Sequence, residues 1–399
     1  MPTSPYRGEV RMLLRSALLL FTFTVVIGIL NGTDLVDFDR KTLLTHVHAG
    51  TLGWITMSAF AGSFWLFSIG DVAPQTPGRT YVSTLTLLTL VSITAYALAF
   101  LTTYGVLRPI VGAVVLVAIV LVFVWVLGRA RGRTISVPHV GLLAAVTMSV
   151  AGAVLGVLLG YRLATGVAVI PASASAAHPA TMVVGFLVPV GMAFIEWILD
   201  PTSITRRASI AGWLQIGLPF LGGLFAMIGL LLSIPALVTF GLPFEVIGLV
   251  IMLVRLRGPM ASALGRIVDD GPRRHGPVAY VFLIVNIALL VYLVVNYFSQ
   301  ELEPPLNQLL ALDHSIFIGV MTNVIFAVIM LFRRPVAPII DHVVFFGVNL
   351  GLIGFLTGLL MESAPIKQVS TPILGIAILV GVVGNLMALG GPSTTRASR

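Results

Sequence analysis

Apolar runs of about twenty residues alternate with short polar breaks along this chain. The runs fall at about 14–31, 44–69, 81–104, 108–128, 138–161, 175–198, 209–232, 235–256, 277–298, 306–332, 338–361 and 369–390. A helix needs about 20 apolar residues to cross a bilayer's hydrocarbon core, so each run predicts one membrane span. The breaks are rich in Pro, Gly, Asp and Arg, and none is long enough for a soluble domain. The longest, Arg255 to Pro277, carries five arginines and two aspartates. The pattern predicts an all-α polytopic membrane protein of about twelve transmembrane helices in one bundle. It forms a single transmembrane domain over 1–399 with short cytoplasmic tails at 1–13 and 391–399. Arg7, Arg11 and Arg15 before the first run resemble the start of a signal peptide. No small-residue cleavage site follows, so the run reads as the first membrane helix.

Composition agrees with this reading. The 399 residues are 58% hydrophobic and 10% charged, against about 25% charged in soluble domains, and the mean hydropathy is +1.06. The net charge of +8 would suit a nucleic-acid binder, but its placement argues otherwise. With twelve spans, one set of loops and both termini hold eighteen of the 23 Lys and Arg residues. The other set holds Arg40, Lys41, Arg108, Arg162 and Lys367. Cationic loops stay in the cytoplasm. The expectation is therefore a multi-pass protein of the inner (plasma) membrane with both termini cytoplasmic, lipid as its main partner and no nucleic acid. The absence of cysteine excludes disulfides and thiolate metal sites. Small residues recur at packing distance: Gly152, Gly156 and Gly160 on the fifth span, and Gly347, Gly351, Gly354 and Gly358 on the eleventh. Such stripes usually let helices approach closely, and they can also accept a flat cofactor.

The histidines carry the chemistry. His46 and His48 open the second span, His178 lies near the start of the sixth, and His314 lies two turns into the tenth. These three spans run in the same direction, so all four imidazoles fall at one level, near the outer face. His139 and His342 open spans of opposite direction, and His275 sits in the basic inner connector. Ionisable groups inside a membrane are functional candidates by default. Neutral imidazole is a common ligand of haem iron and of copper. The bland alternative is interfacial histidines bonded to backbone or water. His46 and His48 are two positions apart, about 200° around a helix, so one ligates toward the tenth span and the other meets something else.

The segment from Thr45 to Trp54, with His46, His48, Gly50 and Gly53, resembles the second helix of the main subunit of the haem–copper oxidase superfamily. The segment from Asp313 to Gly319 is similar to that subunit's tenth helix, and the segment from Ala177 to Met182 to the start of its sixth. The resemblance implies a low-spin haem held by His314 and one of His46 or His48. His46 is favoured by its spacing to Gly50, Gly53 and Trp54. It implies a copper role for His178, and oxidoreductase chemistry fed by an electron-donor subunit or cytochrome. Two features depart from the family: the seventh span has no histidine, and Leu312 stands where the family has the first tenth-helix histidine. The pattern is closer to oxidase-like membrane proteins and NnrS-type haem proteins linked to nitric oxide or oxygen-related respiratory chemistry. Without cysteine the haem has no thioether attachment and is held by coordination and packing; a b-type haem is the expectation. Arg40, Lys41, Arg108 and Arg162 are the expected partners of its carboxylates, since arginine binds carboxylate in bidentate fashion.

Other polar residues are read more plainly. Asp313 either orients an imidazole or is a helix-end charge. Asp341-His342 echoes Asp313-His314 at the opposite depth. Glu245 is either intramembrane or in a loop, Glu196 is a solvated inner helix end, and Met182 is packing or a soft ligand. The competing function is a twelve-helix transporter of a small solute or ion without haem. Transporters commonly show two related halves, and no 6+6 similarity is visible here.

Overall fold

A computed structural model describes residues 4–71, 76–102, 105–269 and 271–390. The described residues form twelve long helices and no strand. They are α1 (Arg7–Gly32), α2 (40–66), α3 (Thr76–Thr102), α4 (Leu107–Ala130), α5 (Val137–Thr165) and α6 (Ala174–Leu199). Then come α7 (Ile210–Leu231), α8 (Pro235–Leu264), α9 (His275–Asn296), α10 (Leu306–Phe332), α11 (Pro338–Leu360) and α12 (Ala364–Leu389). The tail at 391–399 lies outside the described residues. Helix α1 starts at Arg7, within the stretch expected as the N-terminal tail. Its polar first turns are held from outside: Arg11 donates to the Phe332 carbonyl at 3.1 Å, and Glu9 accepts from Ser83 at 2.7 Å. Arg255 and Arg257 likewise lie within α8 rather than in a connector.

Eleven helices are long and apolar enough to span a membrane. α2 is long enough but less apolar, and its packing shows why that suffices: every residue from 53 to 66 is buried. Helices α6 and α10 are buried over 94% and 78% of their central windows, against 33–56% in the nine other apolar spans. So α2, α6 and α10 are inner helices, shielded from lipid by the remaining nine. Small and hydroxylated side chains suit that position, because the neighbours are protein rather than acyl chains.

The inner helices share a second feature. Each contains a π-helical segment, Ala49–Thr56 in α2, Thr181–Leu187 in α6 and Ser315–Thr322 in α10. Such wide turns are rare, and they cluster at functional sites. Aligning the three starts puts His46, His178 and Leu312 in one register and His48, Ala180 and His314 in another. It also aligns Gly53, Gly185 and Gly319, which lie against Leu20 of α1, Met148 of α5 and Phe282 of α9. The bundle is thus three groups of four helices, each with its first helix packed along the π segment of its second. That 4+4+4 arrangement leaves no 6+6 division of the transporter kind.

The face where α2, α6 and α10 end is rich in ion pairs. Arg129 and Arg133 pair with Asp71, Arg206 with Asp200, and Arg333 with Asp341. Glu196 corrects its sequence reading. It is buried at 1% exposure rather than solvated. Arg255 holds it at 2.8 and 2.9 Å, and Gln215 donates at 3.0 Å. The fork of Arg255 neutralises it without water.

Candidate functional site

A cavity of about 390 Å³ opens between α1, α2, α10, α11 and α12, lined by both His46 and His314. The Nδ1 of His46 lies 2.9 Å from the Thr24 carbonyl of α1. The Nδ1 of His314 lies 2.8 Å from the carbonyl of Leu310, one turn earlier on its own helix. A carbonyl only accepts, so each Nδ1 carries the proton and donates, which leaves Nε2 with a lone pair. Among the described residues neither Nε2 has a hydrogen-bond partner.

The walls are flat and apolar. The His46 ring lies against Gly28, and Gly50 and Gly375 also line the cavity. Below the histidines Trp54 stacks on Phe21 at 4.4 Å between centroids and donates to the Thr322 hydroxyl at 3.1 Å, tying α2 to α10. Phe355 of α11 lies 4.9 Å from the His314 ring. At the rim Lys367 donates to the Asp34 carboxylate at 2.8 Å, and Gln368 donates at 3.0 Å. Those bonds hold the Asp34 carboxyl below the usual carboxylate range.

The cations expected at this site are elsewhere. Lys367, not an arginine, lines the cavity. Arg40 is exposed at the start of α2. Arg108 donates to the Phe100 carbonyl at 2.8 Å and stacks over the Phe100 ring. Arg162 donates to the Ile170 carbonyl. Arg108 caps the last turn of α3 and Arg162 a carbonyl of the α5–α6 connection, and those bonds hold the two side chains in place. Asp313 also lines the cavity, but it bonds neither imidazole, because backbone carbonyls already take both Nδ1 protons.

His48 turns away from this cavity. Its ring stacks on Phe100 at 4.2 Å and meets Tyr96 edge-on at 5.6 Å. Its Nδ1 lies 2.7 Å from the Leu44 carbonyl. His178 has Nδ1 2.8 Å from the Gly152 carbonyl of α5 and lies against Gly156. Met182 packs against Gly152. Among the described residues, no three or more His, Asp or Glu side chains gather as a metal site.

The remaining histidines are bonded differently. His139 has Nδ1 2.6 Å from the Ser136 hydroxyl and Nε2 3.0 Å from the Leu66 carbonyl, so both nitrogens are used. His275 has Nδ1 2.9 Å from the Asn323 amide oxygen, and the His342 Nδ1 accepts from Arg274 at 2.9 Å. Glu245 lies inside α8, buried, with no partner for either carboxylate oxygen.

Comparison with protein-family models and with curated proteins gives no match. The site is therefore read from its own geometry.

Proposed function

We propose that this chain is a membrane haem protein whose b-type haem is ligated by Nε2 of His46 and Nε2 of His314. One observation carries the reading: two imidazoles from facing helices, each with Nδ1 fixed and Nε2 unpartnered, line one cavity. Its size falls within the range of cofactor sites, roughly 300–1,000 Å³. The backbone bonds at Nδ1 set the tautomer and raise ligand basicity. Gly28 and Gly50 leave the cavity walls flat, and Phe21, Trp54 and Phe355 exclude water. Lys367 stands at the rim as a donor for carboxylates. When bound, such a haem supplies a one-electron iron couple.

The reading agrees with the resemblance to the main subunit of haem–copper oxidases, of which only the low-spin haem part is retained. Helix α7 has no histidine, and Leu312 fills the other ligand position of α10. The function is electron transfer in respiratory chemistry of oxygen or nitric oxide, with an external electron donor. The arginine-rich ends of the even-numbered helices support a reading in which both termini are cytoplasmic and the haem lies near the outer face of the inner membrane. An absorbance spectrum of the purified protein tests this. A Soret band with sharp bands on reduction is expected, and a well-folded colourless protein from haem-supplied cells overturns it.

A further inference from the structure

The two histidines outside the cavity, His48 and His178, stand in the same relation as the two inside it. The register set by the three π segments makes this explicit. Two ligand positions repeat, one three residues before each π segment and one a single residue before it. At the first position lie His46 of α2, His178 of α6 and Leu312 of α10; at the second lie His48, Ala180 and His314.

The bonding follows the register. The imidazoles of the first kind are anchored on the preceding outer helix. His46 donates to the Thr24 carbonyl and lies on Gly28, four residues on. His178 donates to the Gly152 carbonyl and lies on Gly156, again four residues on. The imidazoles of the second kind are anchored on their own helix, His48 on the Leu44 carbonyl and His314 on the Leu310 carbonyl, each four residues back. The cavity pair joins one histidine of each kind across α2 and α10. The register makes His178 of α6 and His48 of α2 the corresponding pair, one of each kind. Among the described residues neither has a hydrogen-bond partner at Nε2.

The third copy is closed. Its ligand positions hold Leu312 and Ala180, and the position matching Gly28 and Gly156 holds the buried Leu290 of α9. Asn286, matching Thr24 and Gly152, donates to the Leu312 carbonyl at 2.8 Å, as the Thr24 hydroxyl donates to the His46 carbonyl at 3.4 Å. The backbone frame is thus kept in the third group while the ligands and the glycine are lost together. In the second group both are kept.

We infer that His48 and His178 form a second metal centre, in which Nε2 of each ligates a transition metal that accepts two neutral imidazoles. Phe100 and Tyr96 lie against His48, and Gly156 lies against His178. The metal is iron carried in a second b-type haem, or a copper ion; both use the same two nitrogens. The inference borrows from the first site only the nature of its ligand, and its failure is separable.

The test counts haem, iron and copper per chain in the purified protein and in four variants: His46→Ala, His314→Ala, His48→Ala and His178→Ala. Two equivalents of haem, or one haem with one copper, are expected. His48→Ala and His178→Ala each lose one and the same equivalent and keep the other, whose spectrum also reports that the variant is folded. Gly156→Leu, which imitates the closed third copy, is expected to lose that same equivalent. If His48→Ala and His178→Ala both retain all the metal of the parent, the second centre does not exist, while the first stands. If instead only these two variants lose metal, the second centre stands and the first fails.

Discussion

The two ends of the bundle bond histidine differently. Where α2, α6 and α10 begin, His46, His48, His178 and His314 each give one ring nitrogen to a backbone carbonyl, and the other has no partner among the described residues. At the other end side chains take the first nitrogen: His139 has the Ser136 hydroxyl and adds the Leu66 carbonyl at its second, His275 has the Asn323 amide and His342 has Arg274. What sets His46 and His314 apart is a backbone anchor at Nδ1 together with a cavity that both rings line. The carboxylates show the same contrast: Glu196 is fully answered by Arg255 and Gln215, and Glu245 by nothing.

The largest expected effect breaks the histidine comparison directly. His46→Ala removes the six-coordinate haem signal altogether, and His139→Ala leaves it in place. The cost of His139→Ala is stability, about 1–3 kcal/mol for the buried groups left unsatisfied. Visible spectra and thermal unfolding in detergent read the two effects separately, and loss of the signal in His139→Ala would put the ligand at the wrong end. The next effect belongs to the carboxylates. Glu196→Ala leaves Arg255 half-buried without its partner and is expected to cost about 3–5 kcal/mol. Glu245→Gln removes a carboxylate that has no partner, so unfolding should show no loss of stability.

Gly28→Leu gives an intermediate effect. The added side chain enters the space of the His46 ring. Haem content is expected to fall several-fold, while overpacking costs stability by about 1–3 kcal/mol; pyridine-haemochrome assay and unfolding measure these. The smallest effect is at the rim. Asp34 has its carboxyl pKa lowered by the bonds from Lys367 and Gln368. That contribution is fully present above the unfolded value of about 3.9 and is lost as pH falls through the lower folded value. Asp34→Asn is therefore expected to lower the melting temperature slightly at neutral pH and not at all once the parent carboxyl is protonated. The effect is small because exposed ion pairs contribute little.

Much of this molecule is written in local pattern. The twelve helices follow from apolar runs, including α2, whose polar and small residues fit burial among other helices. The common depth of the four histidines follows from helix direction. Three features are not local. No sequence pattern marks the π segments, which fix the register of the inner helices. Glu196 and Arg255 are 59 residues apart, so their pairing depends on how α6 and α8 pack. Lys367 looks like an ordinary loop charge, and it reaches the cavity only because α12 packs along α1. The same holds for Arg108 and Arg162: a sequence gives their membrane side but not the carbonyls that bind them.

The central claim is that His314 ligates through Nε2 into a cavity shared with His46. The most direct measurement is a titration of His314→Gly with free imidazole, followed by the low-spin signal of the ferric haem. The account predicts that the variant loses this signal and that imidazole, entering the vacated space, restores it. A variant that keeps the parent's low-spin signal before any imidazole is added would contradict the assignment.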